Sequence, residues 1–208
     1  MPTARVKGTL LQALVESVQA CLDNGKISSE ELEVQVSAEA LGLLEEKLQI
    51  IQWYPLEPYR ELLDALWNLD GERRRSYMLR FGGDAAARLL EADTYRSFVD
   101  SAHGGGDRSL ASLLKRTRVT VRLTDMLYDF VHVSVEHDEQ RDRLQLLYES
   151  TEPFSEAMAL ATEGFLNQFT RSSVGSSLEG RMLEWQMERP SRHQLVYSLQ
   201  LEPLLGEH

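Results

Sequence analysis

The chain has 208 residues, of which 42% are hydrophobic and 26% are charged, and its formal net charge is -11. This composition is typical of one globular domain that can bury a sizeable core, and it excludes a largely disordered chain. The acidic balance opposes general binding to nucleic acid, because phosphate backbones are bound by clustered Lys and Arg.

The segment from Thr9 to Leu22 predicts an amphipathic helix that ends near Asn24 and Gly25. Its apolar residues recur at three- and four-residue steps: Leu10, Leu11, Leu14, Val18 and Leu22. Cys21 shares this spacing, so we expect a buried thiol. As the only cysteine of the chain, it excludes an intrachain disulfide and cysteine-clustered metal sites.

Two further helices are expected before residue 72. Ser37 is the expected N-cap of a helix that carries Leu41, Leu44, Leu48 and Ile51 and ends at the segment WYPLEP. Pro58 suits the first turn of the next helix, which should end at Asp70-Gly71.

Residues 72–101 again show helical periodicity, and we expect Gly82-Gly83 to divide them into two helices. The basic group Arg73, Arg74, Arg75 and Arg80 indicates a solvated helix face, with a phosphate or acidic-partner site as the alternative. The segment SAHGGGDRS that follows predicts a mobile loop, because consecutive glycines lose much conformational entropy on ordering.

After about Thr117 the apolar period changes to two, as in Val131, Val133 and Val135. A polar turn then leads into the strand Leu144–Tyr148, a helix follows over Pro153–Phe169, and alternation around Trp185 and Tyr197 closes a second hairpin. We therefore expect an α+β fold in one domain, residues 1–208. A helical part, 1–115, is followed by a β-β-α-β-β four-stranded antiparallel part, 116–208.

This order resembles the fold shared by heme nitric-oxide-binding (H-NOX) domains, 4-vinyl-reductase-type ligand domains and TRAPP vesicle-tethering subunits. The chain is also similar to an uncharacterised family restricted to myxobacteria. That similarity lies in VKG at Val6–Gly8, in WYPLEPYRELLDAL and in the glycine-containing helix RFGGDAAARLL. The resemblance implies a signalling module. We also expect a cytoplasmic protein, because the N-terminal segment lacks an uninterrupted apolar run after its basic residues and no run approaches the roughly 20 apolar residues that a bilayer span needs.

The same resemblance bears on a heme cofactor. H-NOX domains hold the heme propionates with a YxSxR motif, and here Tyr148 and Ser150 match while Glu152 stands at the arginine position. A carboxylate would repel the propionates, which an arginine clamps. The only upstream candidate for an axial histidine on a helix is His103, and it precedes three glycines, which hold a ligand poorly in place. We therefore predict no heme and no other cofactor.

Three other histidines, His132, His137 and His193, fall in or beside strands and turns, and we predict no metal site. Sequence motifs of hydrolases, nucleotide-binding enzymes and metalloproteases are absent from the chain. The acidic clusters around Glu31 and Glu45 are expected to be solvated faces. We therefore expect a protein that is not an enzyme.

The leading hypothesis is a regulatory or adaptor module that binds a protein partner or dimerises. Its rival is a small-molecule sensor with an apolar pocket between helices and sheet, which a cavity of several hundred Å³ would favour. The aromatic segment WYPLEPY suits either role, or a packed helix corner. The possible ligand or partner contacts are Trp53, Tyr54, Tyr59, Tyr148, Ser150, Phe154, Met158 and Trp185.

Overall fold

The computed structural model describes residues 3–91, 110–138, 143–174 and 184–200. The helices within these ranges are α1 (Gly8–Asp23), α2 (Ser29–Gln35), α3 (Ala38–Glu45), α4 (Leu56–Leu69), α5 (Arg75–Glu91), α6 (Leu110–Leu127) and α7 (Glu156–Val174). The strands are β1 (Arg5–Lys7), β2 (Trp53–Pro55), β3 (Val131–Asp138), β4 (Arg143–Ser150), β5 (Gln186–Ser191) and β6 (Gln194–Gln200).

Strands β3 to β6 form one antiparallel sheet in the order β3-β4-β6-β5. The sheet consists of two hairpins, and α7 connects them in the chain. Tyr148 of β4 pairs with Val133 on one side and with Leu195 on the other. Because side chains alternate along a strand, the buried apolar residues of the two central strands fall on one face. The predicted α+β order of helices followed by β-β-α-β-β is confirmed.

Helix α5 runs without interruption through Gly82-Gly83, so the prediction that these glycines divide two helices is wrong. The physical reason is the approach of α7. A Cβ on Gly82 would lie 1.8 Å from the carbonyl oxygen of Ala161, and one on Gly164 would lie 2.0 Å from that of Leu79. The glycines therefore allow two helix backbones to meet, and this contact stabilises the helix that they would otherwise weaken.

Helix α6 extends to Leu127, so the change of period placed near Thr117 and the boundary at 115/116 are wrong. The alternation that begins at Val131 had been extended back to about Thr117, over a segment that is helical. In the helix, the hydroxyls of Thr117 and Thr124 donate to the carbonyls of Leu113 and Thr120, four residues earlier, at 3.0 and 3.1 Å. This bonding accommodates buried threonines inside a helix.

Near the N-terminus, β1 and β2 form a two-stranded antiparallel sheet that the sequence did not predict. The segment WYPLEPY is therefore a short strand leading into α4 and not a corner between two helices. Ser37 caps α3 as predicted, accepting from the backbone N–H of Ala40 at 3.3 Å. The helix ends at Glu45, however, so Leu48 and Ile51 lie outside it.

The basic group is divided between two elements, which corrects the prediction of one solvated helix face. Arg75 and Arg80 lie in α5, whereas Arg73 and Arg74 lie in the connection from α4. In this connection Glu72 and Arg73 have φ of 47° and 55°. A helix would require negative φ at both positions, and the turn after Gly71 prevents it.

The glycine-rich segment around His103 and the polar turn between β3 and β4 lie outside the described residues, so their predictions are not tested. Cys21 is buried, as expected. Over the described part of the chain, no helix is both long and apolar enough to cross a membrane.

Candidate functional site

An interior pocket lies between the helices and the sheet. Its volume is about 60 Å³, and α1, α4, α5, α6, β4 and α7 all contribute to its wall. The apolar lining consists of Leu10, Ala13, Phe81, Gly82, Ala85, Leu123, Leu127, Met158, Ala161 and Phe165. Leu10 and Ala13 of α1 and Phe81 and Ala85 of α5 are only partly buried, so the pocket is accessible between these two helices.

The polar residues of the lining all carry a hydroxyl group: Tyr59, Thr124, Tyr128, Tyr148 and Thr162. Burial raises the pKa of Tyr59 to about 12 and raises the pKa values of Tyr128 and Tyr148 above their usual range. The tyrosines are therefore neutral at physiological pH. They supply hydrogen bonds, not negative charge, to the pocket.

The tyrosines also lie near one another. Tyr59 and Tyr128 are close enough for each to affect the pKa of the other, and Tyr148 lies near Thr124 and Tyr128 in the same way. The Tyr148 ring packs edge-on against Tyr197 of β6, with 5.1 Å between the ring centroids and 80° between the planes. The polar end of the pocket is thus built from α4, α6 and β4, and β6 supports it from behind.

Of the residues predicted as ligand or partner contacts, the pocket brings together Tyr59, Tyr148 and Met158. Two lining residues were not predicted: Thr124 in the last turn of α6, and Tyr128, which directly follows the helix and donates its backbone N–H to the Thr124 carbonyl at 2.9 Å. A spacing of four residues could have placed them on one face. The signal was lost because this segment had been assigned to the period-two part of the chain.

Trp53 and Tyr54 do not line the pocket. Trp53 is partly exposed on β2, and the Lys7 ammonium lies 4.2 Å from its ring centroid. The Tyr54 ring is buried, and its hydroxyl accepts a hydrogen bond from the backbone N–H of Gln49 at 2.9 Å. Both residues stabilise the small β1-β2 sheet and the loop before it.

Phe154 and Trp185 are buried outside the pocket. The Trp185 indole N–H donates to the hydroxyl of Thr170 at 2.9 Å, and its backbone N–H donates to the Asn167 side chain at 2.7 Å. Through these bonds Trp185, which directly precedes β5, holds this part of the chain against α7. It therefore has a packing role in the structure, as does Phe154.

Ser150 and Glu152 form a closed turn at the end of β4. The Ser150 hydroxyl donates to the carbonyl of Glu152 at 2.6 Å and accepts from the backbone N–H of Glu152 at 3.0 Å. Such a turn satisfies the serine side chain locally. Ser150 and Glu152 do not line the pocket that Tyr148 faces, so the three motif positions do not converge on one site.

A larger groove of about 420 Å³ lies across the other side of the α5-α7 crossing. Its size falls in the usual range for ligand sites. However, charged groups that line it already pair: Arg75 with Glu163 at 2.5 Å, and Arg171 with Glu184 at 3.5 Å. These pairs are typical of a solvated groove, so we take the interior pocket as the candidate site.

Metal-binding side chains do not cluster in the described residues, since no group of three or more His, Cys, Asp and Glu could hold a metal ion there. The described histidines His132, His137 and His193 do not line the interior pocket. His193 instead lies at the β5-β6 turn, with Nδ1 3.2 Å from the Ser150 carbonyl oxygen.

H-NOX proteins match nearly the whole chain in structure. The Fe(II) unliganded H-NOX protein from K. algicida has a TM-score of 0.60 at 14% identity, over 93% of this chain and 95% of that chain. An H-NOX protein from S. oneidensis in the Fe(II)NO ligation state has 0.54 at 14%, over 93% and 99%. The H-NOX from Shewanella woodyi in the Fe(II)CO ligation state has 0.53 at 16%, over 97% of each chain.

At these identities the matches show the fold alone, and they confirm the predicted H-NOX-like fold. No family model matches the sequence. No curated protein matches it either. Restriction to myxobacteria and kinship with TRAPP subunits therefore stay predictions.

The residues described do not fit a heme in the manner of the H-NOX resemblance. The Ser150 hydroxyl is bonded within its own turn, and Glu152 supplies a negative charge where the motif has arginine. A pocket of about 60 Å³ is far below the roughly 300–1,000 Å³ of sites that enclose larger ligands. We derive no chemistry through a heme.

Proposed function

We propose that this protein is a regulatory domain that binds a small organic molecule, without heme, in its interior pocket. The proposal is supported by one observation above all: hydroxyl-bearing residues of α4, α6, β4 and α7, together with Tyr128 just after α6, line an otherwise apolar pocket at the centre of the fold. An apolar cavity with a few convergent polar groups is the usual form of a ligand site.

The pocket volume limits the guest. About 60 Å³ is less than the several hundred Å³ that would have favoured a sensor on size alone. By the same measure a single water needs about 10–15 Å³, so the pocket holds a guest equivalent to roughly four to six waters. This restricts the proposal to small ligands and is consistent with a pocket whose wall is built from Ala13, Gly82, Ala85 and Ala161.

The position of the pocket supports a regulatory role. It touches α5 and α7, which cross at close range, and β4 at the centre of the sheet. A ligand there contacts both halves of the fold at once. It therefore stabilises the arrangement of helices against sheet that it fits, which is how a ligand shifts a conformational equilibrium.

The proposal is tested by recovering the ligand. The full chain is purified from cells that produce it naturally, and small molecules extracted from it are identified by mass spectrometry. Ala13→Leu places a larger side chain at the pocket opening, and Ala20→Leu is the matched control on the exposed side of the same helix. We expect one metabolite to be recovered from the wild type and from Ala20→Leu and to be lost from Ala13→Leu. Equal recovery from all three, or recovery of none, contradicts the proposal.

The second candidate is the adaptor role, through protein interaction or dimerisation. It is favoured by exposed apolar side chains in the loop before β2, where Ile50 is 46% and Ile51 is 73% exposed. Light scattering of the wild type and of Ile51→Glu tests it. A dimer that dissociates in the variant supports self-association through this loop, and a wild-type monomer that captures no protein partner contradicts the adaptor role.

A further inference from the structure

We infer that the interior pocket selects a neutral, single-ring or smaller molecule with an apolar body and one hydroxyl or carbonyl group, which is bound at the tyrosine end. This inference rests on the proposed function and deepens it. It is carried by the arrangement of polar groups in the pocket, by the absence of charge from the lining, and by the volume.

The polar groups are concentrated at one end. Tyr128 adjoins both Tyr59 and Tyr148, and Tyr148 adjoins Thr124. Each hydroxyl has one proton to donate and two lone pairs to accept with, and hydroxyl protons rotate freely. A cluster of hydroxyls can therefore turn one O–H or one lone pair toward a guest without breaking its other bonds. Thr124 and Tyr197 differ, because their hydroxyls donate to the carbonyls of Thr120 at 3.1 Å and Ala159 at 2.9 Å.

Charge is excluded by the lining. None of the described residues around the pocket is Asp, Glu, Lys, Arg or His. An ion bound there would lose its hydration without gaining a counter-charge, at a cost of several kcal/mol. Burial raises the pKa of Tyr59, so this phenol does not become a counter-anion for a cation. Both cationic and anionic ligands are therefore disfavoured.

The apolar residues set the rest of the specificity. Phe81, Leu123 and Phe165 offer ring and methyl surface, which favours a hydrophobic body. The volume of about 60 Å³ limits the guest to a single ring at most. A ring fits only if the partly exposed side chains at the opening shift. The hydroxyl or carbonyl of such a molecule enters first, because Tyr59 and Tyr148 are buried whereas Leu10 and Ala85 are partly exposed.

Three probes share a ring and a methyl group and differ in their polar group: p-cresol has a hydroxyl, toluene has none, and p-toluate has a carboxylate. Comparing their affinities separates the effects of a hydrogen bond and of a charge from that of the apolar ring. Their binding to the full chain is measured by isothermal calorimetry and by ligand-detected NMR. We expect p-cresol to bind about tenfold more tightly than toluene, since one net hydrogen bond contributes about 1 kcal/mol or slightly more. We expect p-toluate to bind at least tenfold more weakly than toluene.

Tyr148→Phe removes one hydroxyl and keeps the ring. It should weaken p-cresol about fivefold and leave toluene unchanged, and Tyr128→Phe should do the same if Tyr148→Phe does not fold. Tyr54→Phe, which removes a hydroxyl outside the pocket, is the matched control and should change neither affinity. Equal binding of p-cresol and toluene, or preferred binding of p-toluate, overturns the inference and leaves the proposed function standing. Failure of all three probes to bind also overturns the inference, whereas the proposed function is decided separately, by whether a metabolite is recovered with the purified chain.

Discussion

Gly82 of α5 lies against Ala161 of α7 so closely that a Cβ on Gly82 would be 1.8 Å from the Ala161 carbonyl oxygen. Two rigid helix backbones form this contact, so neither can yield as a flexible side chain would. Gly82→Ala should therefore lower the free energy of unfolding by about 2 kcal/mol or more. Urea denaturation followed by circular dichroism measures the change.

The neighbouring glycine provides the matched control. A Cβ on Gly83 would meet its nearest neighbour, the Gln168 side chain, at 3.7 Å, which is ordinary contact. Gly83→Ala should therefore raise stability by about 0.5–1 kcal/mol, because alanine loses less entropy than glycine in a helix. Equal effects of the two substitutions would show that the helices do not meet at Gly82.

The connection after α4 stores backbone strain at Glu72, whose φ is 47°. Residues with a side chain adopt this conformation at a cost of about 1–2 kcal/mol, and glycine avoids most of it. Allowing for the greater entropy of glycine in the unfolded chain, Glu72→Gly should stabilise the protein by about 0.5–1 kcal/mol. Glu72→Ala removes the same carboxylate without relieving the strain, so in urea denaturation it should show no gain. A glycine variant no more stable than the alanine variant would argue against strain at this position.

The buried Glu163 makes stability depend on pH. Its carboxylate is 4% exposed, and burial raises its pKa above the ordinary 4.5 although Arg75 opposes the shift. Between 4.5 and the raised value the unfolded chain has already released its proton, while the folded protein still holds it. The free energy of unfolding should therefore fall as pH rises through this window and level off above it.

Urea denaturation at a series of pH values checks the sign. Glu163→Gln cannot titrate, so this contribution to the pH dependence should be lost. Arg75→Gln removes the cation that lowers the Glu163 pKa, so the fall should extend to higher pH than in the wild type. If the wild type instead became more stable relative to Glu163→Gln as pH rises, the pKa of Glu163 would be lowered and the prediction would be wrong.

Reconstitution with hemin tests the prediction that the motif of Tyr148, Ser150 and Glu152 does not hold a heme. We expect titration of the purified protein to give no stoichiometric Soret band, because the Ser150 hydroxyl is bonded within its turn and Glu152 carries the wrong charge. Glu152→Arg alone should not restore binding, since it leaves the Ser150 turn in place and adds no iron ligand. A stoichiometric band in the wild type that is abolished by His103→Ala would overturn this expectation.

The amino-acid sequence by itself determined most of the secondary structure and the fold class. The alternation through Val131 and Val133 and through Leu195 and Tyr197 predicted strands, and the spacing of Leu11, Leu14 and Val18 predicted α1. These patterns are local, because side chains within a few residues of one another decide which face of an element is apolar.

Only the tertiary structure decided that the helix continues through Gly82-Gly83, that Tyr148 lines a pocket, and that the pocket exists. Gly82 lies inside a helix because α7, about eighty positions later in the chain, packs so closely against it that no side chain would fit. Tyr148 faces Thr124 and Tyr128, which the alternating pattern had assigned to the wrong element. A cavity is the space that distant side chains fail to fill, and that depends on distances between elements that no local spacing records.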